Sequence, residues 1–481
     1  MREFSFRRVF AAVGISLLGL AALSSVLSVN TFPLVGNDSL LYLGHSLDLT
    51  GGGWVMHGFR QVGYPFFLAV ARWSANVAGA DPLLATAVLQ RTLLIAGGVL
   101  AFWFWRWWSL PLLVYLFAAP TIAYSNFILT EGIGLPVALL LVFPTVSFLQ
   151  LVQTDETRQM SRLVAVLGWS AVAGALILLT LRFTYSVFGV IPLVMAIATW
   201  KTAYRRLGLA ALATYLVVAG AFTLLLIQEN QREFGVALPS VDGGPAHYYY
   251  AWARVFTVNP DNRANPALAE FFDEGQIHAF SREVATSGVR FEEKGPIFDQ
   301  EIEKMLRAAG ISVLGSRVES VVWSLAGGRL HDVAGPVEGI VESTRSTIDR
   351  WIHHNSHAVT HGPQSFADEY NDSRLPQFVI TDPVGVPLAV DTQSLAAVLL
   401  PAAIIVMALG LRYAWARPAC SIGLTVVAST AVGLGWVRAD NFRFLIASST
   451  FGIALATSLL PRLAEGWERH VVLSTGTGDR T

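Results

Sequence analysis

The chain has 481 residues, 53% of them hydrophobic and 14% charged; its formal net charge is −1 and its mean hydropathy +0.52. This balance excludes a soluble enzyme held by one anchor and describes a polytopic membrane protein. With no basic stripe and no nucleic-acid-binding motif, DNA and RNA are excluded as partners, and the single cysteine, Cys420, excludes an intramolecular disulfide.

In chain order, a basic start (Arg2, Arg7, Arg8) leads into an apolar run at 9–29. A cleaved signal peptide has an apolar core of roughly 7–15 residues, so this longer run reads as a retained span. Residues 30–80 form a long first loop, in which 64–78 reads as an interfacial helix or re-entrant piece. A span takes roughly 20 apolar residues. Runs of this kind lie near 83–104, 109–124 (the shortest), 131–152, 164–181, 183–200 and 207–228, completing an N-terminal membrane module over 1–228. Within it AFWFWRWW, Ala101 to Trp108, reads as part of an interfacial aromatic belt.

Residues 229–390 break the pattern, holding 22 of the chain's 34 acids against 13 Lys and Arg. Loops that long seldom lack structure of their own, so this segment is expected to be a small, mainly α extracytoplasmic domain. FDQEIEKMLRAAG, Phe298 to Gly310, has the spacing of an amphipathic helix closed by glycine. ISVLGSRVESVVWSLAGG, Ile311 to Gly328, reads as a second helix lying against the membrane. Spans near 394–411, 419–437 and 442–460 make a C-terminal membrane module over 391–465, followed by a tail at 466–481. The expected fold is an all-α polytopic membrane protein of about ten transmembrane helices.

Lys and Arg in short loops set orientation. With the N-terminus inside, the inner segments collect Arg2, Arg7, Arg8, Arg106, Arg158, Arg162, Lys201, Arg205, Arg206, Arg412, Arg417, Arg462, Arg469 and Arg480, leaving few for the outer loops. Ten spans bring both termini to the cytoplasmic side, and the charge count agrees.

The outward ionisable residues near membrane depth are Asp38, Arg60, Glu131, Arg182, Arg438, Asp440 and Arg443, with Arg91 inside the second span. Charges at that depth are costly unless paired or functional. Arginine offers fork-shaped donors to phosphate, and a carboxylate can orient a hydroxyl and take its proton. Together they suit a lipid-linked phosphate and a hydroxyl acceptor. Each has a structural alternative. Asp38 could cap a helix, Glu131 could stabilise the N-terminus of its span, and the arginines could snorkel to the interface. Arg91 could pair with Gln90 or a neighbouring helix. His353, His357 and His361 recur at helical spacing, but Gly and Pro follow at once with no partner acid. They read as a surface or acceptor-groove segment, and no metal site is assigned.

An ordered set of motifs carries a resemblance. An acid follows the first span (Asp38 in GNDSLLYLGHSL), then comes RQVGYPFFLAV from Arg60 to Val70. Gln90 lies near the start of the next span in AVLQRTLLIAGG. Pro120 and a Thr-Glu pair occur in APTIAYSNFILTEGIGLPVALL, followed by LLTLRFTYSVFGVIPLV with Arg182 and Tyr185, and late in the chain VRADNFRFLIASSTFGIAL. The set resembles the GT-C superfamily of polyprenyl-phosphate-sugar-dependent glycosyltransferases, in particular bacterial relatives of protein O-mannosyltransferases and of lipid A aminoarabinose transferase. The chain departs from that pattern where Asn37 stands beside Asp38 instead of a second acid, at Val62 for proline, and at Asn441-Phe442.

The resemblance implies a GT-C-like fold in the inner or plasma membrane with its site on the extracytoplasmic face. It implies inverting transfer of a sugar from a polyprenyl-phosphate donor to a hydroxyl of a glycan, lipid or protein acceptor. On these residues, Asp38 is expected as base, with Glu131 orienting it or the acceptor, directly or through a divalent cation; no other cofactor is expected. Arg60, Arg91, Arg182, Arg438 and Arg443 are expected at the donor phosphate, and Tyr42, His45, His57, Tyr64, Gln90, Tyr185 and Asp440 at the substrates. An aspartate of ordinary pKa near 4 cannot strip a hydroxyl outright, so proton transfer is late and concerted. Two rival readings are a transporter or flippase of a lipid-linked glycan and a non-catalytic envelope assembly protein. Transporters show repeated halves and helices broken near the midplane; this sequence shows neither.

Overall fold

The computed structural model describes residues 37–50, 61–154, 160–234, 260–271, 291–327, 335–353, 390–437 and 442–475, with scattered positions between 19 and 33, between 237 and 256, and at 388. Among the described residues every regular element is helical. The N-terminal part contains α1 (Asn37–Thr50), α2 (Gly63–Ala78), α3 (Pro82–Trp105), α4 (Leu110–Phe117), α5 (Ala119–Tyr124), α6 (Thr130–Thr154), α7 (Ser161–Leu181), α8 (Val190–Thr199) and α9 (Arg205–Phe234). The polar segment 229–390 contributes α10 (Phe291–Ala308), α11 (Val313–Leu325) and α12 (Gly335–His353), and the C-terminal part α13 (Thr392–Gly410), α14 (Arg417–Val437) and α15 (Phe442–Thr475).

Among the described residues, seven stretches are long and apolar enough to cross a bilayer: Pro82–Phe117, Thr130–Thr154, Ser161–Leu181, Arg205–Arg232, Thr392–Gly410, Arg417–Gly435 and Leu445–Glu465. The protein is thus an all-α integral membrane protein. Three of the ten expected spans are not among the seven. Residues 9–29 lie mostly outside the described residues. The run at 109–124 is cut in two, because Pro111 and Pro120 each open a short helix and Ala118 between them is extended (ψ 136°). The run at 183–200 begins as a 3-10 turn, Phe183–Gly189, leaving α8 only ten residues long. Two boundaries also move: α9 runs on to Phe234, and α15 continues through Pro461 into the expected tail as far as Thr475.

Close approaches fix how the helices run. Gly97 of α3 abuts Leu139 of α6, and Trp105 stacks on Phe143 at 5.0 Å, so α3 and α6 are parallel. Next, α7 returns antiparallel to α6, with Gly174 against Leu141 and Gly168 against Phe148. Of the apolar window in α15, 83% is buried, against 17% for α9, so α15 is central and α9 peripheral. Beside α15, α13 runs parallel (Leu400 by Gly452, Gly410 by Leu459) and α14 antiparallel (Gly423 by Leu455). Thr121 of α5 bonds Thr392 at the start of α13 (2.9 Å), joining the two halves. The starts of α3, α6, α13 and α15 and the ends of α7 and α14 therefore share one end of the bundle. At the opposite end, three guanidiniums lie over indoles: Arg106 on Trp103, Arg205 on Trp200 and Arg462 on Trp415. The expected aromatic belt is there too, with Trp103, Phe104, Trp107 and Trp108 exposed.

The piece expected at 64–78 is a helix, α2, closed by Gly79 in the left-handed conformation (φ 65°). It buries Tyr64, Leu68, Ala71 and Ala75 and exposes Phe66, Val70, Trp73 and Val77, so both faces are apolar. In the polar segment the predicted amphipathic helix is α10, which turns Phe298, Ile302, Met305 and Leu306 onto Tyr248, Phe256, Leu268 and Phe271. Its opposite side exposes Asp299, Lys304 and Arg307, the polarity expected of a helix in water.

Candidate functional site at one end of the bundle

Three close approaches draw the site together. At Gly63 a Cβ would fall 2.5 Å from the carbonyl carbon of Thr180, so only glycine lets the start of α2 meet the end of α7. At Gly132 a Cβ would lie 2.6 Å from Nε2 of Gln90, and at Gly134 3.0 Å from the Tyr185 hydroxyl. Residues 63, 90, 132, 134, 180 and 185, far apart in sequence, thus surround one point.

Glu131 sits in the first turn of α6 and is 1% exposed. Arg182 follows α7 with an extended backbone (φ −159°, ψ 134°), where the helix gives way to the 3-10 turn. Its Nη1 donates to Glu131 Oε1 at 2.6 Å, while the Thr130 hydroxyl donates to Oε2 at 3.1 Å. The pair is asymmetric: the Arg182 side chain is 26% exposed and that of Glu131 2%. Burial makes the carboxylate depend on its partners, whereas about a quarter of the Arg182 side chain stays exposed.

Beside this pair lies a neutral hub. The Tyr64 hydroxyl donates to Gln90 Oε1 (3.1 Å), and Gln90 Nε2 donates to the carbonyls of Ser125 (2.8 Å) and Phe127 (3.0 Å). Both residues are fully buried. Burial raises the Tyr64 pKa well above its ordinary value, and the nearby Tyr42 and Glu131 raise it further. The phenol therefore stays protonated and acts as a donor. Tyr42 of α1 meets Tyr64 edge to face at 5.0 Å, and Arg72 of α2 donates to the Ser46 carbonyl of α1. Asp38 stands one helical turn before Tyr42, which brings its end of α1 to the same end of the bundle. The Asp38 side chain lies outside the described ones.

Arg91 is buried, and its described bonds all go to protein: the carbonyls of Val26 (3.3 Å) and Val29 (2.8 Å) and Asn126 Oδ1 (2.8 Å). These bonds tie the chain before α1 to α3 and to the turn before α6, the structural alternative foreseen for this residue. Gln90 likewise has its amide engaged by the fold. His45, half-buried, has Nδ1 3.9 Å from Asp48 Oδ2 one turn on. Tyr185 is buried against Gly134 and edge to face with Phe188 (6.2 Å), which in turn meets Phe451 of α15. His57, Arg60, Arg438 and Asp440 lie outside the described residues, as do His354, His357 and His361 and the side chains of Arg443 and His353. Among the described residues no three His, Cys, Asp or Glu side chains gather as for a metal.

Sequence reasoning missed Ser125, Asn126 and Thr130, which hold Gln90, Arg91 and Glu131. Their signal was present: SNFILTE interrupts a long apolar stretch with four polar residues, two of them the Thr-Glu pair.

Fold and composition together define the class as an all-helical integral membrane protein with a buried, ion-paired cluster at one end. Comparison of the chain with protein-family models, with curated proteins and with solved structures gives no match.

Proposed function

We propose that this protein is an inverting glycosyltransferase, moving a sugar from a polyprenyl-phosphate donor to an extracytoplasmic acceptor hydroxyl. The observation that carries the reading is the Glu131–Arg182 pair, held between α6 and α7 where α1, α2 and α3 converge. An arginine held by a buried carboxylate and still partly exposed suits an oxyanion that gains charge as a bond breaks. The leaving polyprenyl phosphate is such a group, and one preorganised contact of this kind is worth about 2.7–4 kcal/mol of barrier.

In this scheme Arg182 binds the departing phosphate. Glu131 is a positioning residue, since both its oxygens already accept bonds and it acts through the guanidinium. Asp38 accepts the proton of the acceptor hydroxyl as the oxygen attacks the anomeric carbon from the face opposite the phosphate. In the same scheme Arg60, Arg438 and Arg443 are further phosphate ligands, and Asp440, His57 and Tyr42 substrate contacts. No step is routed through a metal. The site faces outward and both termini lie inside, following the basic residues at the opposite end.

The test is sugar transfer by the purified chain in liposomes supplied with polyprenyl-phosphate sugars. Release of polyprenyl phosphate should require both an acceptor and Asp38. Full activity in Asp38→Asn would remove that residue from the role.

A further inference from the structure

The helix α11 has its polarity reversed relative to its neighbour α10. Ser316, Ser320 and Ser324, spaced i, i+4, i+8, are fully buried, while Leu314, Val318 and Val322, on the same spacing, are 72%, 53% and 47% exposed. A helix in water buries its leucines and valines and exposes its serines, because removing apolar surface from water is the main favourable term. In hydrocarbon that term vanishes, so small residues pack inward and aliphatic ones face the solvent. No charge interrupts the outward side: Arg317 and Glu319 are half-buried, and the other exposed positions are Ser312, which caps the helix, and Gly315. By contrast, α12 mixes exposed Glu338, Glu342 and Arg345 with its apolar residues.

The place of α11 in the bundle agrees. Val321 and the Arg317 carbonyl crowd Gly435, two residues from the end of α14, and Gly327, in the left-handed conformation (φ 70°), sits against the Ala396 carbonyl in the second turn of α13. Both partners are spanning helices, with exposed Val432 and Val398 nearby. The outward side of α11 therefore continues the lipid-facing surface of α13 and α14.

We infer that α11 is an interfacial helix whose Leu314–Val318–Val322 side is inserted into the bilayer at the end of the bundle that carries the Glu131–Arg182 cluster. The occupant of this face is lipid, and the inference does not depend on the catalytic reading. For the test, the full chain carrying Leu314→Cys, Val318→Cys or Val322→Cys is labelled with a nitroxide and reconstituted in phosphatidylcholine–phosphatidylglycerol vesicles. Cys420 is buried, and the unsubstituted chain serves as the labelling blank. Collision with oxygen should exceed collision with a water-soluble nickel chelate at all three positions, with depths on the order of 5–10 Å into the headgroup–acyl boundary. Lys304→Cys on α10 should show the reverse. Equal nickel access at α11 and at Lys304→Cys would overturn the inference. So would protection from both quenchers with spin–spin broadening, which would mean that a second copy covers this face.

Discussion

Charges at the two ends of this chain's polarity range behave differently. On α10 the pairs are exposed: Arg307 meets Glu303 one turn away, and Lys304 reaches Glu270 at 3.2 Å. At the end of the bundle, Glu131 and Arg182 are 51 residues apart in sequence and join two spanning helices, beside Arg91, Gln90, Tyr64 and Asn126. The first kind keeps a segment soluble and contributes little. The second requires desolvation and is retained where it holds geometry or serves chemistry. Burial thus separates the few charges tied to a site from the many that solvate.

This contrast can be broken most severely at Arg182. Arg182→Ala takes the charged partner from the buried Glu131 carboxylate, with an expected loss of about 3–5 kcal/mol of stability, seen as a fall in melting temperature in detergent. Arg182→Lys keeps the charge without the fork, so the protein should stay folded while transfer falls about 10²–10³-fold. Unchanged transfer in that variant would detach the pair from chemistry.

Smaller effects test the neutral hub. Gln90→Leu strips partners from the Ser125 and Phe127 carbonyls and from the Tyr64 hydroxyl, and each buried group left unmatched costs about 1–3 kcal/mol. Tyr64→Phe removes one donor only and should cost about 1 kcal/mol, readable in the same melting series. On α10, Arg307→Ala should change stability by no more than about 0.3–0.5 kcal/mol and leave transfer untouched. An effect there as large as at Gln90 would erase the distinction between the two regions.

Much of the fold was legible because lipid imposes length and hydropathy on spanning helices. Runs such as 131–152 and 164–181 reappear within a few residues as α6 and α7. The run at 109–124 misled because mean hydropathy registers apolar side chains and is indifferent to Pro111 and Pro120, which stop the backbone hydrogen bonds. The site was legible as an inventory: Glu131 and Arg182 stood out as ionisable groups near membrane depth, and Tyr64 and Gln90 through the motifs that carry the resemblance. Their partners were not, since nothing local links residue 131 to 182, and Arg91 looked like a ligand until its bonds to Val26, Val29 and Asn126 were known. The spacing of α11 was equally visible, but periodicity reveals two faces without saying which solvent each one meets.

Turnover itself is the sharpest probe of the Glu131–Arg182 pair. Wild-type chain, Arg182→Lys and Glu131→Gln are reconstituted in liposomes with a radiolabelled polyprenyl-phosphate sugar and an acceptor hydroxyl. The wild type should transfer sugar with inversion, Arg182→Lys should lose about 10²–10³-fold in rate, and Glu131→Gln should also be impaired. Transfer at the wild-type rate in both variants, or polyprenyl-phosphate sugar left intact by the wild type across all acceptors, would contradict the proposed function.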